Sequence, residues 1–197
     1  MILKIFNKEL LRKNICDSRN NLSKNVKQKM DFDIFNILIS SEEYKYCNAL
    51  FVYVSKPIEV GTYGIISHAL EKEKSVAVPK CSAEDLTMSF YKITSFKDLE
   101  KGYFQIYEPI KEKCPEVKTF SSGICIVPGF CFDIYGHRLG YGKGYYDKFL
   151  ENFKGVKIGI CYSDYIFEKL PANKHDQKVD ILVTEKNARK VAVVQTN

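Results

Sequence analysis

Five short apolar runs set what this chain can become: NALFVYVS (48–55), SVAVPK (75–80), ICIVPGFCFD (124–133), VKIGICY (156–162) and DILVT (180–184). Their length and their β-branched and aromatic content mark buried strands rather than helices. Helical patterns precede and separate them. Residues 4–30 carry Ile5, Leu10, Leu11, Ile15, Leu22 and Val26 among charges, and 31–41, GIISHALEKEK (64–74) and YYDKFLENF (145–153) follow. TMSFYKI (87–93) alternates like a half-buried strand, VAVVQ (191–195) reads as one more, and KGYFQIYEP (101–109) reads as loop. Strands alternating with helices predict an α/β fold: a mainly parallel sheet flanked by helices on both faces, a Rossmann-like three-layer sandwich. The 197 residues suit a single domain, 1–197, in which residues 1–42 form an N-terminal helical segment packing on the sheet.

Composition excludes several classes. Thirty basic against 24 acidic residues leave a formal charge of +6, mostly lysine spread along the chain. That excess reads either as a solvated surface or, in part, as a face for an anionic ligand. A basic stripe interleaved with exposed aromatics is missing, so no nucleic-acid partner is expected. Seven cysteines without a CxxC pair fit neither a zinc site nor a disulfide framework, and point to a reducing compartment. No stretch approaches the ~20 apolar residues of a membrane span, and the N-terminus lacks a signal peptide's apolar core and cleavage site. A cytoplasmic protein acting as a monomer on small molecules is expected.

The stretch RLGYGKGYYDKFL (138–150) sets Gly140, Gly142 and Gly144 on alternate positions in front of a helix. Glycine is unfavourable inside a helix or strand but lets successive N–H groups turn toward a ligand. In a parallel α/β sheet ligands collect beyond the carboxyl ends of strands, where this loop should lie. A helix N-terminus behind it, with Lys143 and Arg138 beside it, suits phosphate. The spacing matches neither GxxxxGK[ST] nor GxGxxG, so phosphate binding and a purely structural turn both remain open from spacing. Tyr145 and Tyr146 read as packing residues. Asp147 reads as a magnesium ligand or as a partner of the helix dipole.

VPGFCFDIYGHRLGYGKGYYDKFL (127–150) resembles the signature of the 5-formyltetrahydrofolate cyclo-ligase family, PG-x-x-FD-x-x-G-x-RLG-x-G-x-GYYD, at every fixed position. KELLR (8–12), VSKPIEVGT (54–62), VAVPK (76–80), FQIYEP (104–109) and HDQKVDILVT (175–184) resemble other family elements, in the family's order. The resemblance implies ATP- and Mg2+-dependent conversion of 5-formyltetrahydrofolate to 5,10-methenyltetrahydrofolate, with release of ADP and phosphate. In the implied route the formyl oxygen attacks the γ-phosphoryl group and N10 then closes on the activated carbon. The protein's task is alignment and charge neutralisation.

The resemblance also assigns residues. Lys8 and Arg12, on one helix face, and Arg138, Leu139, Gly140, Tyr141, Gly142, Lys143, Gly144, Tyr145 and Tyr146 would hold the nucleotide. Lys143, Arg138 and Tyr145 would serve the chemistry. Val54, Glu59, Phe104, Tyr141 and Tyr145 would face the folate, with Glu59 on the pterin. Asp147 and Asp180 would hold magnesium, whereas His175 and Asp176 would be structural. Gly61 and Gln105 depart from the family pattern, and Tyr141 fills a variable position. The competing reading is a non-catalytic nucleotide- or RNA-binding relative. Such a relative should lose Lys143, Asp147 or the Lys8–Arg12 pair, and this chain keeps them all.

Overall fold

The computed structural model describes residues 7–84, 86–102 and 106–192. Its helices are α1 (Lys8–Asn20), α2 (Lys24–Ser40), α3 (Glu42–Tyr46), α4 (Tyr63–Glu71) and α5 (Tyr145–Asn152). The first strands are β1 (Ala49–Val52), β2 (Ser75–Ser82), β3 (Thr87–Ile93), β4 (Leu99–Lys101), β5 (Tyr107–Pro109) and β6 (Glu116–Val117). They are followed by β7 (Ile124–Val127), β8 (Cys131–Asp133), β9 (Arg138–Leu139), β10 (Val156–Ile160), β11 (Ile166–Phe167), β12 (Ile181–Val183) and β13 (Ala188–Lys190).

Eight strands form one sheet in the order β13-β12-β10-β7-β1-β2-β3-β6. Its centre, β12 to β2, is parallel, and β13, β3 and β6 add antiparallel edges. Parallel strands are covered on both faces, which is why Leu50, Phe51 and Val52 are all buried in sequence. Phe51 meets Phe149 and Phe153 at the α5 end, with ring centroids 6.1 and 5.2 Å away. Leu50 and Val52 point to the opposite face by strand alternation. Buried Ile34 and Leu38 of α2 and Ile65, Ile66 and Ala69 of α4 supply helical core positions. No described helix is long and apolar enough to cross a membrane.

Several local expectations need correction. The helical pattern over 4–30 breaks at Asn21–Ser23, because Ser23 takes an extended backbone and its hydroxyl accepts from Val26 N at 3.3 Å. The helix expected over 31–41 is the continuation of α2. The run 124–133 is two strands: Pro128, lacking an N–H, ends β7, and β8 enters a small sheet with β9 and β11. The loop expected over 101–109 contains half of the hairpin β4–β5. Of the strand expected at 191–195, residues 193–195 lie outside the described residues, and the edge strand falls earlier, at β13.

Helix α1 is fastened by a buried arginine. Arg19 donates to the carbonyls of Phe130 (2.7 Å), Gly129 (3.2 Å) and Ile58 (3.3 Å). Its guanidinium also lies 5.0 Å and 5.5 Å from the ring centroids of Tyr165 and Tyr162. Lys8, Arg12, Ile15 and Arg19 recur at helical spacing, so the face that carries Arg19 inward brings Lys8 and Arg12 to the same side.

Candidate functional site

A cleft of about 720 Å³ lies beyond the carboxyl ends of β1, β2 and β7, bordered by Val54, Cys81 and Pro128. The 138–147 segment closes one side of it. Gly142 and Gly144 have φ of 87° and 72°, the left-handed region that other residues enter only at a cost. Gly144 is the N-cap of α5 and supplies no side-chain acceptor, which leaves the first-turn N–H groups for an anion. Arg12 Nε donates to Gly140 O at 2.8 Å, tying α1 to the loop. A side chain at Gly142 would come within 3.2 Å of the Arg12 guanidinium.

Among the described residues the cleft holds five cations, Lys8, Arg12, Lys56, Arg138 and Lys143, and four carboxylates, Glu59, Glu108, Asp147 and Asp176. Arg138 is committed: its side chain is 5% exposed, 2.9 Å from Asp147 Oδ1, and it donates to Gln177 O at 2.9 Å. It therefore braces the base of the loop. Lys8 lies 3.8 Å from Asp176. Arg12, Lys143 and Lys56 form no ion pair among the described residues. Lys143 stands exposed on the loop, and Lys56 sits 4.8 Å above the Tyr141 ring. A dianionic or more highly charged ligand would find these charges uncompensated.

Glu59 is buried on the opposite wall. Its Oε2 accepts from Lys56 N and its Oε1 from the Tyr141 hydroxyl, each at 2.7 Å. Burial, and then the Glu59 charge, push the Tyr141 hydroxyl's pKa well up, so it stays a donor. Tyr141 also packs on Phe130, 4.7 Å between centroids. Leu139 and Val54 are buried, Tyr145 donates to Ser82 O at 3.2 Å, and all three line the cleft with Tyr146. Phe104 and Gln105 lie outside the described residues. The Gly61 departure has a steric reason: Asp31 reaches over from α2, accepting from Gly61 N at 3.1 Å, and a Cβ would lie 2.9 Å from its carboxylate.

The expected Asp147–Asp180 pair does not assemble. Asp180 precedes β12 and its carboxylate accepts from Lys157 N at 2.8 Å, at the amino end of the parallel strands. Asp147 lines the cleft at the carboxyl end. Asp176, four residues earlier, is the C-terminal carboxylate that reaches the cleft, where it accepts from Asn173 N at 2.8 Å. Its neighbour Gln177 donates from N to Asp147 at 3.0 Å. Sequence reasoning also passed over Lys56, Cys81, Glu108 and Arg19. A carboxylate inside an otherwise apolar hairpin segment, YEP, was the available signal for Glu108.

A doubly wound sheet with a cleft at its strand ends, walled by a glycine loop and a buried carboxylate, defines a small-molecule enzyme of the α/β class. Residues 4–185 match the model of the 5-formyltetrahydrofolate cyclo-ligase family, and the chain belongs to that family. It is 29% identical over 193 residues to a probable 5-formyltetrahydrofolate cyclo-ligase of Schizosaccharomyces pombe, covering 90% of this chain and 94% of that protein. A 5-formyltetrahydrofolate cyclo-ligase of Mus musculus is 27% identical over 75% of this chain and 78% of its own length. The NMR structure of Aquifex aeolicus 5,10-methenyltetrahydrofolate synthetase superposes with a TM-score of 0.83 at 36% identity, covering 96% of this chain and 95% of that one. The chain is thus an enzyme of the cyclo-ligase class, acting on a folate.

Proposed function

We propose that this enzyme uses ATP and Mg2+ to cyclise 5-formyltetrahydrofolate to 5,10-methenyltetrahydrofolate, through phosphorylation of the formyl oxygen. The observation that carries this reading is the division of one cleft into two differently charged walls. The loop wall carries Arg12, Lys143 and the α5 amino end, which suit a triphosphate. The other wall carries Glu59, whose two oxygens match the adjacent amino and ring N–H donors of a pterin. Tyr141 and Tyr145 lie between the walls. Binding both ligands there supplies the in-line approach that phosphoryl transfer requires.

The residues fit magnesium. Asp147 and Asp176 offer hard oxygen donors on the phosphate side, each already balanced by a cation, as suits an ion that takes its remaining ligands from phosphates and water. Once bound, the ion would neutralise phosphate charge. Lys143 answers the charge that develops on the transferred phosphoryl group, and Arg138 holds the loop through Asp147. The partners on this reading are two small molecules, and the enzyme works as a cytoplasmic monomer without nucleic acid. Its seven unpaired cysteines accord with a reducing compartment.

The test is to mix the purified protein with 5-formyltetrahydrofolate, ATP and Mg2+ and to follow the near-ultraviolet absorbance of the methenyl product. A rise that needs all three components is expected. No rise, with ATP binding intact in a thermal-shift control, would overturn the reading. Lys143→Ala should lower turnover at least a hundredfold without unfolding the protein, since losing one donor aimed at charge that develops in a transition state costs about 10²–10³ in rate.

A further inference from the structure

Glu108 is a buried carboxylate in the cleft to which no function has fallen. Its residue exposure is 8%, it borders the cleft, and it makes no hydrogen bond among the described residues. Its one ion-pair contact among the described residues is Lys80 Nζ at 4.0 Å. That lysine is already engaged, lying 3.3 Å from Glu100 and donating to Pro109 O at 3.1 Å. Glu100 and Glu108 stand directly opposite in the β4–β5 hairpin, a like-charge pairing that destabilises a sheet. The hairpin also presses its backbone onto this side chain: a Cβ on Gly102 would collide with the Glu108 carboxylate. A desolvated, poorly neutralised carboxylate held so firmly is a costly feature, and the cleft is where its benefit would lie.

Its neighbours place it on the folate side. Cys81, at the end of β2, feels the charges of both Glu108 and Lys56. Tyr146 feels both Cys81 and Glu59. Glu59 and Glu108 therefore both act on the part of the cleft that Cys81 and Tyr146 line. The charged and titratable groups facing Glu108 are Lys80 and Cys81 from β2, Glu100 from β4 and Lys111 beyond β5. Burial, followed by Glu100 among the raising influences, lifts the Glu108 carboxyl above its usual range, toward the pH at which a carboxylate works as a base.

Ring closure needs such a group. When N10 attacks the activated formyl carbon, the N10–C bond forms and the C–O bond to the phosphorylated oxygen breaks. Phosphate departs with that electron pair. N10 is then left with a proton that must go, and the methenyl bridge becomes a delocalised cation. We infer that Glu108 is the catalytic base that takes the N10 proton during ring closure and passes it to solvent, its negative charge having favoured the cation as it formed. This assignment rests on the proposed two-step reaction, in which Glu108 serves the second step and the loop serves the first.

The experiment compares the parent enzyme with Glu108→Gln, which keeps shape and relieves the Glu100 repulsion. Both are given 5-formyltetrahydrofolate and Mg2+ with ATP carrying ¹⁸O in its β–γ bridge. Scrambling of that label reports reversible phosphoryl transfer, and methenyl absorbance reports closure. In the parent, closure should fall at low pH as Glu108 protonates. In Glu108→Gln, scrambling should persist, closure should slow about 10²-fold or more, and the acidic limb should disappear. A variant that closes the ring within threefold of the parent rate, or keeps the same limb, overturns the assignment. So does a variant that loses scrambling and closure together, since Glu108 would then act before or during the first step. A parent that makes no methenyl product overturns the underlying activity and the base role with it.

Discussion

Arg19→Met replaces a buried guanidinium by an apolar chain of similar reach, and its cost can be worked from the contacts. Three backbone carbonyls, of Phe130, Gly129 and Ile58, lose their donor. Leaving an acceptor without a partner costs about 1–3 kcal/mol each where burial is complete, so the low end, about 3 kcal/mol in all, suits a set in which two bonds exceed 3 Å. The two ring contacts add about 1 kcal/mol. Burying methionine rather than a charge returns about 1 kcal/mol. The net loss is about 3 kcal/mol, which for a chain of this size lowers Tm by about 6–12 °C. Differential scanning calorimetry measures this directly. Because α1 also carries Lys8 and Arg12, KM for ATP should rise more than KM for the folate. A fall in Tm below about 3 °C would show that the arginine's contacts only balance its own desolvation.

Asp176→Asn should raise the Mg2+ concentration needed for half-maximal rate several-fold, whereas Asp180→Asn should leave it unchanged; the reverse order in a Mg2+ titration would restore the sequence-based pair. Gly142→Ala places a side chain at φ 87° and 3.2 Å from Arg12, so it should cost about 1–2 kcal/mol and weaken nucleotide more than folate, as isothermal titration would show. The raised pKa of Glu108 has a stability consequence. Its charged form is disfavoured in the folded state, so folding loses stability as pH rises through the folded pKa, and below the ordinary carboxylate range the penalty is absent. Glu108→Gln should therefore melt above the parent at pH 7, with the gap closing toward pH 4; a gap that ignores pH would deny the charge as its cause.

What could be read in the sequence follows the range of the interactions. The strand runs at 75–80, 87–93 and 156–162 appear where expected, because burial on two faces leaves a compositional mark. The break at Asn21–Ser23 and the end of β7 at Pro128 carried marks too, a cap residue and a missing N–H, which the apolar periodicity on either side outweighed. The loop 138–147 was legible as a motif, but its contacts were not. That Arg138 would be spent on Asp147 and Gln177 depends on a segment 39 residues away. The choice between Asp176 and Asp180 was also invisible locally: both are acidic and four residues apart, and only the direction of β12 decides which end of the sheet each occupies.

The loop does not belong to one ligand. Arg12 holds it by Gly140 O, and Tyr141, the next residue, reaches Glu59 on the opposite wall. Anything that moves Arg12 therefore moves a hydrogen bond to the carboxylate that would hold the pterin. Arg12 is in turn fixed by a helix fastened at its far end through Arg19. A triphosphate drawing Lys143 and the Gly142–Gly144 backbone toward itself would pull on Tyr141 and free Glu59 Oε1 for a pterin donor. Charge on one wall would thus act on the other through the Tyr141–Glu59 hydrogen bond.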